Sequence, residues 1–218
     1  MSTVFDCGDP DTRTAGIRAA VGAAKAGRLV VMPTDTLYGI GCDAFDGDAV
    51  AALLAAKGRG RDMPVPVLVG SWHTIDGLVL SVSTAARDLV EAFWPGGLSL
   101  VVPQAPSLAW DLGDTDGTVM LRMPLHPVAI ELLREVGPMA VSSANVSGRA
   151  PATTVDEACE QLGESVSVYL DGGPAAAAQA STIVDLSGPT PRILREGAVP
   201  VADIAEVLDL DVDALTGP

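Results

Sequence analysis

The chain has 218 residues, of which 48% are apolar and 19% are charged, and its formal net charge is -15 at pH 7. A chain of this length can bury the core of one domain, and its apolar content excludes disorder throughout. Its sequence pI near 4.2 argues against a broad surface for nucleic acid or anionic lipid, because such binding requires many lysines and arginines.

Apolar residues recur along the chain with the spacings of helices and of short buried strands. In chain order the spacing predicts a helix over residues 14–26, a strand over 28–32, a helix over 48–57, a strand over 65–69, a helix over 84–93, strands over 98–102 and 118–123, a helix over 127–136, a strand over 139–142, a helix over 155–162, strands over 166–170, 181–186 and 191–194, and a helix over 201–208. Short strands interleaved with helices indicate an α/β domain with a largely buried, mixed sheet.

The three cysteines, Cys7, Cys42 and Cys159, are widely spaced and include no C-x-x-C pair. This pattern predicts neither a disulfide framework nor a zinc site, and it is typical of reduced thiols. The N-terminus lacks a basic and apolar leader, and no apolar run approaches the ~20 residues that cross a bilayer. We therefore expect a soluble, cytoplasmic protein without a membrane partner.

A cluster of cations, Lys57-Gly58-Arg59-Gly60-Arg61, holds three of the thirteen basic residues within five positions. Its glycines let the backbone approach a bound group, so a polyanion can contact both side-chain charges and main-chain N–H groups. The cluster predicts a site for a small phosphate ester. The alternative is a solvated helix end whose cations complement the helix dipole. The spacing matches neither a Walker A loop nor a G-x-G-x-x-G fingerprint.

Polar residues also follow two of the predicted strands directly. Residues 33–41, Pro-Thr-Asp-Thr-Leu-Tyr-Gly-Ile-Gly, follow the strand over 28–32, and residues 142–149, Ser-Ser-Ala-Asn-Val-Ser-Gly-Arg, lie at the end of the strand over 139–142. Open α/β sheets bind ligands at the carboxyl ends of strands, and these hydroxyls, amide and guanidinium suit carboxylate, phosphate or ribose oxygens. The alternative for the first segment is a polar turn.

A nucleophilic serine is a further alternative for residues 142–149. The chain lacks the G-x-S-x-G elbow, and neither of its two histidines, His73 and His126, has an evident third partner. The sequence therefore disfavours a Ser-His hydrolase. We predict instead that His126 caps a helix and that His73 lies on the surface.

Six groups of residues together resemble the YrdC-like threonylcarbamoyl-AMP synthase family. They are Pro-Thr-Asp-Thr-Leu-Tyr-Gly at 33–39, Lys-Gly-Arg at 57–59, Trp-Pro-Gly-Gly-Leu-Ser-Leu at 94–100, Leu-Arg-Met-Pro at 121–124, Ser-Ala-Asn-Val-Ser-Gly at 143–148, and Ser-Thr-Ile-Val-Asp at 181–185 with Arg-Ile-Leu-Arg-Glu-Gly at 192–197. The shared order makes the resemblance specific, and it extends over about residues 13–200. It implies one YrdC-like domain over 13–208 between an N-terminal tail, 1–12, and a C-terminal tail, 209–218.

The resemblance implies a twisted, open, mixed sheet with flanking helices around a basic cavity. It also implies that L-threonine, bicarbonate and ATP, accompanied by Mg²⁺, yield threonylcarbamoyl-AMP and pyrophosphate. The product then passes to a tRNA threonylcarbamoyl transferase complex for t6A formation at tRNA position 37, and direct tRNA binding by this chain stays open. Such chemistry requires no protein nucleophile, because positioning and charge neutralisation suffice.

The resemblance assigns roles to individual residues. Lys57 and Arg59 belong to the family's Lys-x-Arg motif and correspond to catalytic positions. The residues at threonine-binding positions are Thr36, Arg122, Ser143 and Ser181. Those at ATP-binding positions are Arg59, Thr118, Asn145, Thr153 and Arg195. No residue corresponds to a metal ligand.

Three positions depart from the family's pattern. Leu68 stands where some members have a histidine that touches threonine, and Met63 where some have an asparagine near ATP. Those two contacts therefore lack their usual side chains in this chain. Ala180 replaces a glutamate that often precedes Ser-Thr.

Two other functions remain as alternatives. One is an RNA-binding, YrdC-like paralogue without synthase activity, since a basic concavity suits the shape of double-stranded RNA, although the net charge opposes it. The other is a relative that forms carbamoyl-adenylate from carbamoyl phosphate.

Overall fold

Ten strands form one open, mixed sheet in the computed structural model, which describes residues 2–217. In chain order they are β1 (Thr3–Asp6), β2 (Val30–Met32), β3 (Gly39–Asp43), β4 (Val67–Leu68), β5 (Leu98–Pro103), β6 (Thr118–Arg122), β7 (Met139–Ser143), β8 (Val168–Asp171), β9 (Thr182–Asp185) and β10 (Arg192–Arg195). Their spatial order is β1-β8-β2-β3-β7-β4-β6-β5-β9-β10. Parallel neighbours such as β4 and β6 alternate with antiparallel ones such as β3 and β7, so the predicted mixed α/β sheet is confirmed.

Helices cover both faces of this sheet. They are α1 (Pro10–Lys25), α2 (Gly47–Lys57), α3 (Ile75–Leu78), α4 (Thr84–Phe93), α5 (Pro127–Val136), α6 (Val155–Leu162), α7 (Val201–Leu208) and α8 (Val212–Thr216). Successive residues of a strand point to opposite faces, so Val31 belongs to the core cluster that includes residues of α2, α4, α6 and α7, whereas Val30 and Met32 belong to the cluster that includes residues of α1 and α5. The sheet is therefore buried between two apolar layers.

Each helix and strand predicted from the sequence is present. The bounds of α4, α5, α6 and α7 match the prediction, and the ends of the other predicted elements shift by a few residues. Helix α1 begins earlier than predicted because Asp9 accepts a hydrogen bond from the Thr12 amide and Pro10 starts the helix. The described residues also contain elements that were not predicted, namely β1, β3, α3 and α8.

Strand β3 was predicted as part of a loop because it contains Gly39 and Gly41. Both glycines lie against β7: a Cβ atom would come within 2.7 Å of Val141 side-chain carbons at either position. Gly39 pairs with Ser143, and Gly41 pairs with Val141. The glycines therefore allow β3 and β7 to lie close together, and they align the end of β7 with the residues that precede β3.

The segments predicted as tails contain ordered elements. Strand β1 pairs in parallel with β8, and α8 packs against α7 and β10. The division at residues 12 and 208 stays a prediction. Over residues 2–217 the model contains no helix with the length and apolar character needed to cross a membrane.

Candidate active site

A cavity of about 370 Å³ lies at one end of the sheet, where β4, β6, β7 and β10 end and β3, β5 and β9 begin. Its polar lining includes three arginines and six serine or threonine side chains, which are contributed by several strands and loops. These residues are Arg59, Arg122, Arg195, Thr34, Thr36, Ser99, Ser142, Ser143 and Ser181. Apolar side chains, among them Leu68, Met120, Val141 and Ile183, complete the wall.

Arg122, at the end of β6, is buried and is held by three partners. Its Nε donates to the Gly96 carbonyl at 2.9 Å, its Nη1 to the Thr36 hydroxyl at 2.8 Å, and its Nη2 to an Asp35 carboxylate oxygen at 2.7 Å. Burial lowers the pKa of Arg122, and Asp35 opposes that shift. The guanidinium stays charged beside its carboxylate, and three hydrogen bonds leave two of its five N–H groups for a ligand.

Arg195 approaches the cavity from the end of β10. Its Nη2 and Nε donate to the Ser181 carbonyl at 2.7 and 3.1 Å. The Ser181 hydroxyl lies 2.9 Å from that of Ser99. Partial burial lowers the pKa of Arg195. The result is a guanidinium fixed beside two hydroxyls, with no carboxylate within 4.0 Å among the residues that the model describes.

Arg59 follows the end of α2. Gly58 ends that helix in the left-handed conformation, with a φ of 61°, which turns the chain so that Arg59 enters the cavity wall. The Arg59 Nη1 lies 3.5 Å from the Ser142 hydroxyl, and its buried Nε has no hydrogen-bond partner within residues 2–217. This guanidinium is therefore the least satisfied cation of the cavity.

Lys57 lies behind this wall rather than in it. Its side chain is 1% exposed, and its Nζ donates to the backbone carbonyls of Ser143 and Asn145. Burial, with a smaller contribution from Arg59, lowers the pKa of Lys57 to about 8. Lys57 does not line the cavity. Its predicted catalytic role stays a prediction, as does that of Arg59.

Six of the predicted site residues line one cavity, namely Thr36, Arg59, Arg122, Ser143, Ser181 and Arg195. Lys57 and three other predicted residues lie outside its lining. The Asn145 amide donates to the Val146 and Arg149 carbonyls, Thr153 binds the Glu157 carboxylate, and the Thr118 hydroxyl donates to the Thr115 carbonyl. The structure thus brings together all the predicted threonine-binding residues but only Arg59 and Arg195 of the predicted ATP-binding residues. The roles themselves stay predictions.

The sequence did not single out Thr34, Ser99 or Asp35. Thr34 and Ser99 line the cavity, and Asp35 holds Arg122 and the Leu125 amide through the same oxygen. The sequence signal that could have indicated Ser99 as a site residue was its place two residues after Gly97, at the start of a strand. The three positions that depart from the family's pattern, Met63, Leu68 and Ala180, all line the same cavity.

The histidines lie away from this chemistry. His126 occupies the N-cap position of α5 as predicted, but its side chain makes no capping hydrogen bond, and burial lowers its pKa. The His73 ring lies against the ring of Trp72, with centroids 3.6 Å apart and the two planes tilted by 31°. Over residues 2–217 no group of three histidine, cysteine or acidic side chains is arranged to hold a metal ion.

Known proteins are similar to this chain both in sequence and in structure. The sequence model of the Sua5/YciO/YrdC family, described as "Telomere recombination", matches residues 22–197. A Mycobacterium tuberculosis protein provisionally named threonylcarbamoyl-AMP synthase is 69% identical over 217 residues, which is 100% of both chains. The threonylcarbamoyl-AMP synthase of Pyrococcus abyssi is 34% identical over 193 residues, covering 88% of this chain and 57% of that protein.

A solved structure extends the similarity to three dimensions. The crystal structure of P. abyssi Sua5 complexed with L-threonine superposes with a TM-score of 0.88 at 31% identity, over 95% of this chain and 61% of that one. The chain therefore belongs to the Sua5/YciO/YrdC family.

Proposed function

We propose that this member of the Sua5/YciO/YrdC family is a threonylcarbamoyl-AMP synthase, an enzyme that transfers the adenylyl group of ATP to the carbamate of L-threonine. The proposal draws on relatives of that name, one of them 69% identical over its full length, and on a P. abyssi relative crystallised with L-threonine. Bicarbonate supplies the carbamate carbon, and pyrophosphate is the second product.

The observation that carries the proposal is the pair Arg59 and Arg195. Both guanidiniums line one cavity, and neither has a carboxylate within 4.0 Å among the described residues, although the chain has 28 acidic residues. Two such cations in one cavity favour a ligand with several negative charges, and a triphosphate has them.

Arg122 suits the amino acid. It is fixed by Asp35, Thr36 and Gly96, and its two remaining N–H groups suit a carboxylate. We assign the threonine carboxylate to Arg122 and the phosphates to Arg59 and Arg195. The hydroxyls of Ser99, Ser143 and Ser181 lie in the same lining and suit the remaining polar atoms of the two substrates.

In the reaction, the threonine amine adds to the carbon dioxide that forms from bicarbonate, and the carbamate loses the amine's proton to water. A carbamate oxygen then bonds to the α-phosphorus of ATP while the bond to the β-phosphate oxygen breaks. The arginines offset the charge that grows on the departing pyrophosphate and hold the two substrates in line. No step requires a nucleophile from the protein.

Magnesium fits this scheme as part of the nucleotide substrate. Among residues 2–217 the cavity lining contains no carboxylate, so these residues supply no preferred ligand for Mg²⁺, and the phosphate oxygens of ATP would hold the ion. We further infer that the enzyme acts in the cytoplasm and delivers its product to a tRNA threonylcarbamoyl transferase complex for t6A formation.

The test is pyrophosphate release from Mg-ATP by the purified chain, with threonine and bicarbonate each omitted in turn. The proposal predicts release only when both are present, together with a product of the mass of threonylcarbamoyl-AMP. Release with both substrates omitted would indicate simple hydrolysis of ATP to AMP and pyrophosphate. Release that requires carbamoyl phosphate instead would indicate the carbamoyl-adenylate reaction.

A further inference from the structure

The chain has two lysines, and they occupy opposite environments. Lys25 lies in the last turn of α1 and is exposed, whereas the Lys57 side chain is 1% exposed. No carboxylate lies within 4.0 Å of Lys57 among the described residues. An ammonium group in the interior is costly unless hydrogen bonds satisfy it, so its partners indicate its purpose.

Those partners all belong to one segment, residues 143–147, which begins at the last residue of β7. The Lys57 Nζ donates to the carbonyls of Ser143 and Asn145, the latter at 2.8 Å, and lies 3.4 Å from the Asn145 side-chain oxygen. In return, the Ser147 amide donates to the Lys57 carbonyl at 2.8 Å. Both the backbone and the side chain of Lys57 therefore bind residues 143–147.

This segment presents the Ser143 hydroxyl to the cavity. That hydroxyl donates to the Asn145 side-chain oxygen at 2.6 Å, the same oxygen that faces the Lys57 ammonium. The Asn145 amide in turn donates to the Val146 and Arg149 carbonyls. Lys57 is thus connected to Ser143 directly, through the Ser143 carbonyl, and indirectly, through the Asn145 side chain.

The three protons of the ammonium are matched by these three oxygens, and Lys57 contributes nothing to the cavity lining. We propose that Lys57 is a positioning residue, which fixes residues 143–147 and thereby the Ser143 hydroxyl, and that it does not bind the substrate phosphates. The inference rests on the proposed function for its kinetic consequences and differs from the catalytic role that the family motif suggests.

The first experiment needs only the wild-type protein. With two lysines in the chain, ¹⁵N-labelled lysine gives two ammonium signals, and Lys25→Met identifies them. We expect the Lys57 ammonium protons to exchange with water at least ten times more slowly than those of Lys25 before any ligand is added. Equal exchange rates without ligand, with Lys57 becoming protected only when ATP is added, would overturn the proposal.

The second experiment compares Lys57→Met, Ser143→Ala and the double variant in the pyrophosphate assay. If Lys57 acts through Ser143, both single variants raise the KM of the same substrate. The KM of the double variant should then lie within about threefold of that of the more impaired single variant. Effects that multiply, or full activity of Lys57→Met, would contradict the proposal. Lys25→Met is the matched control and should retain wild-type activity.

The two experiments separate the two proposals. If the wild-type protein releases no pyrophosphate with threonine and bicarbonate, the proposed function fails, and the exchange rates still decide where the Lys57 ammonium is bound. If Lys57→Met does not fold, the wild-type exchange measurement decides the question alone.

Discussion

Arg59 and Arg61 are separated by one glycine, yet they lie in different electrostatic regions of the molecule. Arg61 is exposed and binds Asp111 through two hydrogen bonds, at 2.8 and 3.0 Å, with Asp114 at 3.5 Å. Arg59 lines the cavity, where its Nε has no partner in the described part of the chain. Of two adjacent cations in the same motif, one is neutralised by the protein and the other is not.

Other arginines of the surface and of the cavity can be compared in the same way. At the surface, Arg13 also finds a carboxylate, at 2.7 Å from Glu131. In the cavity, Arg195 binds a carbonyl and a hydroxyl instead, and of the three cavity arginines only Arg122 has a carboxylate partner among the described residues. Most of the thirteen basic residues lack such a partner, since only three of them form ion pairs within residues 2–217. What distinguishes Arg59 and Arg195 is that both line one cavity, and two unpaired cations in one cavity favour an anionic ligand.

The largest effect that we expect on activity is from Arg59→Gln. Loss of this guanidinium removes charge opposite the phosphates, so kcat/KM for pyrophosphate release should fall by about 100-fold or more. The assay is steady-state kinetics with ATP varied, and circular dichroism checks the fold. Retention of more than a tenth of the wild-type kcat/KM would place the phosphates elsewhere.

A carboxylate introduced beside Arg59 should remove the electrostatic difference between Arg59 and the paired Arg61. Ser142→Asp places an acid next to the Arg59 guanidinium, which lies 3.5 Å from the Ser142 hydroxyl. The new ion pair competes with the substrate, so the KM for ATP should rise by about tenfold to 100-fold. Ser142→Asn is the matched control without the charge. Equal effects of the two variants would indicate that size, not charge, causes the loss.

Asp35→Asn tests the one cavity cation that has a carboxylate partner. The Asp35–Arg122 pair is largely buried, with side chains 17% and 8% exposed, and removing one charge leaves the other uncompensated. The free energy of unfolding in urea should fall by about 3 kcal/mol. Glu131→Gln, which breaks the exposed pair with Arg13, should change it little. Similar losses for both variants would mean that burial does not distinguish these pairs.

The buried Lys57 predicts a pH dependence of the folding stability. Because burial lowers the pKa of Lys57 from 10.5 to about 8, the folded protein loses this proton at a pH where the unfolded chain retains it. The wild type should therefore gain stability relative to Lys57→Met between pH 8 and 10, by up to about 1.4 kcal/mol per pH unit.

Urea unfolding at several pH values measures this difference. Burial raises the pKa of the Cys7 thiol to about 11, and that of Cys42 to about 12, which destabilises the folded state above pH 9. Both thiols are present in the wild type and the variant, so their effect cancels in the comparison. A difference that is independent of pH would contradict the lowered pKa of Lys57.

The smallest effect is expected for Arg61→Gln. Both partners of Arg61 are exposed, and exposed ion pairs contribute little. Backbone contacts also hold this loop, since the Asp114 amide donates to the Arg61 carbonyl at 2.8 Å. The thermal unfolding midpoint should not change measurably. A clear decrease would indicate that the ion pair, and not the backbone, fixes the loop that contains Arg59.

Local patterns in the sequence predicted much of the fold. The alternation of apolar residues and the glycines and prolines at element ends determine α4, α6 and α7, whose bounds match the prediction. Strand β3 was not predicted because the local sequence around Gly39 and Gly41 is typical of a flexible loop. The two glycines allow the close approach of β7, which follows about 100 residues later in the chain. Strand β1 was missed because it is short and mostly exposed, and only its pairing with β8 defines it.

The site was predictable to the extent that its residues belong to contiguous motifs. Thr36, Arg59, Arg122, Ser143, Ser181 and Arg195 came from such motifs, and the fold brings them to one cavity. The contact of Ser99 with Ser181 depends on the parallel pairing of β5 and β9, which no local pattern reveals. Whether Lys57 faces the cavity or residues 143–147 depends on the rotation of α2, so its motif alone could not decide between a ligand contact and a structural one.

Calorimetric titration of ATP into the wild type, Arg59→Gln and Arg61→Gln tests the central claim most directly, because it compares the two adjacent cations without relying on turnover. The account predicts that Arg59→Gln weakens ATP binding by at least tenfold and that Arg61→Gln changes it by less than twofold. Equal weakening by the two variants, or ATP binding that neither variant alters, would contradict it.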